Sequence, residues 1–215
     1  MALDAKKITR SLAELRKFRS TVFGSDCHGL LLNEKASEDE IIAFERLHKV
    51  RLPSDYRDFL TMIGDGGAGP FYGVFPLGMM DQGFDLGPWL EGDGIVGVIA
   101  EPFPLEEEWN DLRGNPADEP IATSDPEYGA KVEQFEARYW NSSIVNGAIP
   151  ICHVGCAIRI WIVVTGNQRG SLWLDGRAEL TGISPLRDRS GAPATFESWY
   201  EEWLDNALRE AGLAN

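Results

Sequence analysis

Cysteine is scarce in this chain, basic residues are outnumbered, and long apolar runs are missing. Three cysteines in 215 residues, Cys27, Cys152 and Cys156, cannot form an even disulfide framework, which points to a reducing compartment such as the cytoplasm. No uncharged apolar run reaches the roughly 18 residues of a membrane-spanning helix. The N-terminus interleaves Lys6, Lys7, Arg10, Arg16, Lys17 and Arg19 with Ile8, Leu12 and Leu15, and no apolar core follows, so it does not read as a secretory signal. Twenty Lys and Arg residues face 34 Asp and Glu, for a formal charge of −14. A field of that sign repels nucleic acid and attracts basic proteins.

Signatures of catalysis are missing too. There is no G-x-S-x-G elbow, and the three histidines show no spacing tied to a serine or cysteine nucleophile. The glycine-rich stretch from Gly64 to Pro70 follows a helical pattern, lacks a following lysine and runs through Pro70 into an extended segment. A phosphate-binding loop needs the reverse order, so this stretch reads as a turn. Cys152-His153 with Cys156 has the wrong spacing for a zinc knuckle, and in a strand His153 points away from both cysteines. Glu106, Glu107 and Glu108 are consecutive and diverge in any regular element. The reading is a non-enzyme with no cofactor and no metal.

What is present is a core and an uneven charge. An apolar fraction of 43% with seven tryptophans suits one folded domain over residues 1–215. From Asp81 to Glu136 fifteen acidic residues stand against two basic ones, Arg113 and Lys131, a net of −13. Residues 79–146 are an acidic, loop-rich insert punctuated by Asp93-Gly94, Asn115-Pro116 and Asp125-Pro126, with a helix from Tyr128 to Trp140. Residues 1–20 carry an added basic helix over 6–19, with Ile8, Leu12, Leu15 and Phe18 on its inner stripe. Residues 20–36 read as a loop.

Ser37 and Glu40 form a capping box for a helix carrying Ile41, Phe44, Glu45 and His48 on one flank. Leu52-Pro53 stops it, and Ser54 is placed to cap a second helix that carries Tyr56, Phe59, Leu60 and Ile63 and ends at Gly64. A strand is expected near Phe71–Leu77. Ile158 to Val164 alternates, placing Ile158, Ile160, Ile162 and Val164 on one face and Arg159, Trp161 and Val163 on the other. A hairpin loop at 166–170 returns a strand with Leu172 and Leu174 on the all-apolar face. Asp175-Gly176 then turns into a third strand over Arg177–Thr181. A closing helix from Thr195 presents Phe196, Tyr200, Trp203, Leu204, Ala207 and Leu208 on one face. The architecture is α+β, an antiparallel sheet with helices packed mainly on one face.

The order of these blocks over residues 37–208 resembles the SUKH superfamily, the Smi/Knr-like proteins of bacteria and fungi. Phe44, Leu52, Pro53, Tyr56, Phe59, Gly66 and Gly67 match its entry motif. Glu101 to Leu105 with Trp109 is similar to a phrase of bacterial members. Gly147 to Ile151, Gly155 and the run from Ile160 to Trp173 resemble its strands, and Trp199 and Trp203 its closing helix. The added N-terminal helix and the long acidic insert depart from the family pattern. Bacterial members are often immunity proteins that bind and block a toxin domain, frequently a nuclease. Fungal relatives act instead as interaction hubs. The resemblance therefore implies a protein partner, a basic toxin domain, with a regulatory scaffold as the alternative.

Two surfaces are candidates for that partner, each with a plainer reading beside it. Trp161 and Trp173 with Arg159 would form a docking platform if their sheet face is open, and would be core if the N-terminal helix or the insert covers it. Trp109 beside Glu106, Glu107, Glu108 and Asp111 offers an aromatic anchor rimmed with carboxylates, or else a ring tucked under its own loop. The acidic insert likewise reads either as a solvated surface or as contact with a basic partner.

Overall fold

A computed structural model describes residues 3–17, 22–82, 85–118 and 126–213. Six helices can be followed: α1 (Ala5–Leu15), the single turn α2 (Ser25–His28), α3 (Glu38–His48), α4 (Ser54–Asp58), α5 (Pro126–Tyr139) and α6 (Phe196–Glu210). Strands β1 (Met79–Gln82) and β2 (Asp85–Pro88) form an antiparallel pair, and β3 (Ala148–Gly155), β4 (Ile158–Val163), β5 (Leu172–Asp175) and β6 (Ile183–Pro185) form an antiparallel meander in that order. The fold class is α+β.

Local chemistry sets the helix starts. The Asp4 carboxylate accepts from the Lys6 and Lys7 amides, and the capping boxes of Ser37 with Glu40 and Thr195 with Ser198 are both formed. The stripe of α1 is buried as its spacing requires, Ile8, Leu12 and Leu15 all being inside, while Phe18 lies outside the described residues. Helix α4 runs into one wide π-helical turn, Phe59–Ile63, that stops at Gly64. The Phe59 ring packs at a tilt against Phe196 and Tyr200, at 4.8 and 5.0 Å, joining this turn to α6. Burial of these rings, at roughly 25 cal/mol per Å² of apolar surface, makes this helix cluster a principal part of the core.

Glu45 is a buried carboxylate that holds the proline linker. It accepts from the Leu52 amide at 2.9 Å and faces Arg51 and Arg57 at 3.5 and 3.9 Å. Ser54 does not cap α4. It is the first helical residue, and the Pro53 carbonyl accepts the first turn's bond from the Arg57 amide. Proline at the cap already supplies the extended backbone, so no side-chain cap is needed.

The meander differs from expectation in its third strand. Arg177–Glu179 is a 3-10 turn, because the Asp175 carboxylate captures both the amide and the guanidinium of Arg177. The strand resumes at Ile183. Phe71–Leu77 is not a regular strand either: Phe71 and Gly73 have positive φ, and Pro76 interrupts the donors. Val74 still bridges Cys152 of β3 on one side and Gly67 on the other, and Gly67 bridges Leu32. A Cβ on Gly67 would lie 2.5 Å from the Leu31 carbonyl oxygen, so this rung needs glycine. At the opposite edge Trp109 exchanges both backbone hydrogen bonds with Ile183, at 2.8 and 2.7 Å. Single rungs thus extend the sheet at both edges.

Candidate functional site

The register places Ile160 and Ile162 beside Leu174 and Leu172, as the alternation requires, and Trp161 directly opposite Trp173. The open platform is overturned. Trp161 is 1% exposed and Trp173 is fully buried, because Phe103 of the insert packs on Trp173 at 4.9 Å. Trp173 donates to the Ser171 hydroxyl at 3.0 Å, and both rings belong to the core. Arg159 is not a free docking cation. Its guanidinium forks onto Asp81 at 2.8 and 2.7 Å and ties β4 to β1.

Trp109 is half-buried and stacks on Tyr139 of α5 at 5.4 Å, which leaves at most one face for a partner. Asp111 is neutralised within the chain by Arg113 and Arg138. The Arg113 guanidinium holds its carboxyl at about 2. Glu106, Glu107 and Glu108 are exposed, and Glu106 accepts a hydrogen bond from the Asn167 side-chain amide at 3.4 Å. The candidate set therefore divides: three glutamates reach solvent, while Trp161, Trp173, Arg159 and Asp111 are engaged inside the fold.

The structure also shows a surface not anticipated from the residues. A groove of about 540 Å³ runs along α6, with Trp199 and Trp203 on the helix side and Phe23, Phe71 and Val154 across from it. Phe23 is 63% exposed and Tyr72 beside it 40%, so the groove's edge carries adjoining exposed aromatic rings rather than a single one. The far wall is rigidly set. Phe71 adopts φ 52°, and a Cβ on Gly24 would overlap the Phe71 carbonyl oxygen at 1.7 Å, so Gly24 alone lets these two loops meet.

Phe23 packs edge-on against Tyr72 at 5.6 Å, and Tyr72 stacks on His153 at 5.4 Å. Beyond this aromatic ridge lies a second hollow of about 360 Å³, lined by Cys27, His28, Asp85 and His153 among others. His28 Nδ1 accepts from the Leu30 amide at 3.1 Å, which assigns the proton to Nε2, and burial lowers its pKa. Cys152 is buried and burial pushes its thiol far up, whereas Cys27 and Cys156 are exposed. Among the described residues no three His, Cys, Asp or Glu side chains are placed to hold a metal ion. An apolar floor, an exposed aromatic ridge and flanking carboxylates suit binding of another polypeptide better than bond-making.

The sequence did carry a signal for the groove. Trp199 and Trp203 stand four apart, and Glu202, Asn206 and Glu210 repeat the same interval one strip over. The opposite wall was not visible, because its residues come from three distant segments. Among the described residues no helix is long and apolar enough to cross a membrane. Neither the curated proteins nor the solved structures contain a significant match to this chain. The model of the SMI1 / KNR4 family (SUKH-1), however, matches residues 35–185, from the loop before α3 to the end of β6. On that match, spanning most of the chain and all six strands, the protein belongs to the SMI1/KNR4 (SUKH-1) family.

Proposed function

We propose that this chain is a non-enzymatic protein-binding domain that serves as an immunity protein, binding a basic toxin domain such as a nuclease and covering its active cleft. The observation that carries the reading is the aromatic groove along α6, open to solvent and without a convergent set of reactive groups. Exposed Glu106, Glu107 and Glu108 supply a negative field that speeds encounter with a basic surface. The same field discourages competition from the toxin's own RNA or DNA substrate for the immunity protein.

Co-expression with the C-terminal domain encoded beside this gene tests the proposal. Cells that die with the neighbour alone, survive with both and yield a co-purifying complex support it. A harmless neighbour that binds nothing refutes it and leaves a regulatory scaffold as the role. Charge reversal of Glu106, Glu107 and Glu108 is expected to slow association about tenfold at low salt while leaving dissociation nearly unchanged. An unchanged association rate removes those residues from the steering surface.

A further inference from the structure

The wall that α6 gives to the groove is built of two rails. Trp199, Trp203 and Ala207 recur every fourth residue and form an apolar floor, while Glu202, Asn206 and Glu210 recur in parallel and form a polar lip. Each rail covers nine residues, eight rises or about 12 Å, roughly two turns of a docked helix. The helix bearing them has five acidic residues (Glu197, Glu201, Glu202, Asp205 and Glu210) and one basic residue, Arg209.

The chain itself shows what the lip accepts. Arg189, from the loop before α6, lays its guanidinium along it: Nε lies 3.3 Å from Glu202, Nη2 donates to Asn206 at 2.9 Å, and Nη1 lies 4.0 Å from Asp205. Arg209 also donates to Asn206 and Lys7 lies 3.7 Å from Asp205, so the part of the lip still open to another cation is Glu202, whose side chain is 36% exposed, and exposed Glu210 at its far end. A second copy of this protein docked here would bring another acidic helix against the first, and an anionic lipid surface would meet the same repulsion.

We propose that the α6 groove receives a cationic amphipathic segment of the partner protein, with apolar side chains against Trp199 and Trp203 and Lys or Arg side chains along the Glu202–Glu210 lip. Phe23 closes over the apolar side from the opposite wall, and the two walls together read both the apolar stripe and the adjacent charge. This assignment rests on the protein-binding reading above and names the chemistry of the occupant.

Three synthetic 18-residue peptides test it by calorimetry on the full chain: an amphipathic Leu/Lys helix, a scrambled peptide of the same composition, and a Leu/Glu helix of the same pattern. The Leu/Lys helix is expected to bind, to weaken with added salt, and to outbind the scrambled peptide at least tenfold, with no binding of the Leu/Glu helix. Trp203→Ala removes the floor but endangers folding, so the surface variants Phe23→Ser and Glu202→Lys/Glu210→Lys carry the test, each expected to lose tenfold or more. Absence of binding, equal binding of the scrambled peptide, or indifference to both surface variants overturns the assignment. So does a dimer of the wild-type chain in sedimentation that Phe23→Ser dissociates. Peptide binding without protection of cells would defeat the immunity reading alone. Protection that survives Glu202→Lys/Glu210→Lys would defeat the groove assignment alone.

Discussion

Removing Arg177 is expected to destabilise the protein more than most single surface changes, because its charge is spent inside. Its side chain is 3% exposed and that of Asp175 9%. The guanidinium donates to Asp175 at 2.8 Å from Nε and 2.6 Å from Nη2, and at 3.3 Å from Nη1 to the Tyr139 carbonyl at the end of α5. It also lies 5.2 Å over the Trp140 ring. Arg177→Ala strips every one of these and leaves the Asp175 carboxylate buried without its cation. Breaking one side of a buried pair costs about 3–5 kcal/mol, which at about 2–4 °C per kcal/mol for a chain of this size lowers Tm by roughly 6–20 °C. Asp175→Ala should cost a similar amount. The double variant should cost far less than the sum, with a coupling of at least about 2 kcal/mol, since no unpaired charge remains. Calorimetric or denaturant unfolding of the four proteins measures the cycle. Additive losses, or a loss below about 1 kcal/mol for Arg177→Ala, would refute the argument that this pair locks the turn between β5 and β6 to α5.

A thiol reagent applied to the native protein should label two cysteines, Cys27 and Cys156, and should reach Cys152 only on unfolding. Intact mass reads the count, and a third native label would show that the β3 edge opens. Burial lowers the pKa of His28, so the unfolded chain takes up that proton first as pH falls. The stability it contributes is present above its ordinary value of about 6.5 and is lost as pH falls below that toward the folded pKa. Tm should therefore drop between pH 7.5 and 5.5, and His28→Gln should flatten part of that slope; an identical slope in the variant would acquit His28.

Features fixed within a few residues were legible in the sequence. The Ser37 capping box, the α1 stripe, the helix expected over Tyr128–Trp140 (observed as Pro126–Tyr139) and the alternation through β4 depend on neighbours along the chain, and each folds close to what its pattern requires. The covered face of the sheet was not legible, since Phe103 reaches Trp173 across seventy positions and no periodicity reports on that. Arg177 had a signal that was outweighed: Asp175-Gly176 marks a turn, and the following Arg is spaced to be held by the Asp carboxylate rather than to start a strand at once. Of the candidate surfaces, the glutamates survive as exposed charge because consecutive carboxylates cannot all be neutralised inside. Trp161 and Trp173 went to the core, where their large apolar area outweighs any use at the surface, and Trp109 is half-buried against Tyr139. The groove lay hidden because Phe23, Phe71, Val154 and α6 meet only in three dimensions.

The single-rung bridges at the two margins of the sheet also constrain how any partner can be read. Leu32 and Trp109 each contribute one rung where another chain would otherwise lie down in register, and one residue is too short a template for a further strand. At these two margins of the four-stranded sheet, continuous backbone pairing with a further strand, tolerant of almost any side chains, is disfavoured. A partner docking beside this sheet would instead have to be read through its side chains on the faces and grooves, where a single altered residue changes affinity. Exposed positions on those faces can be exchanged without disturbing the sheet beneath them.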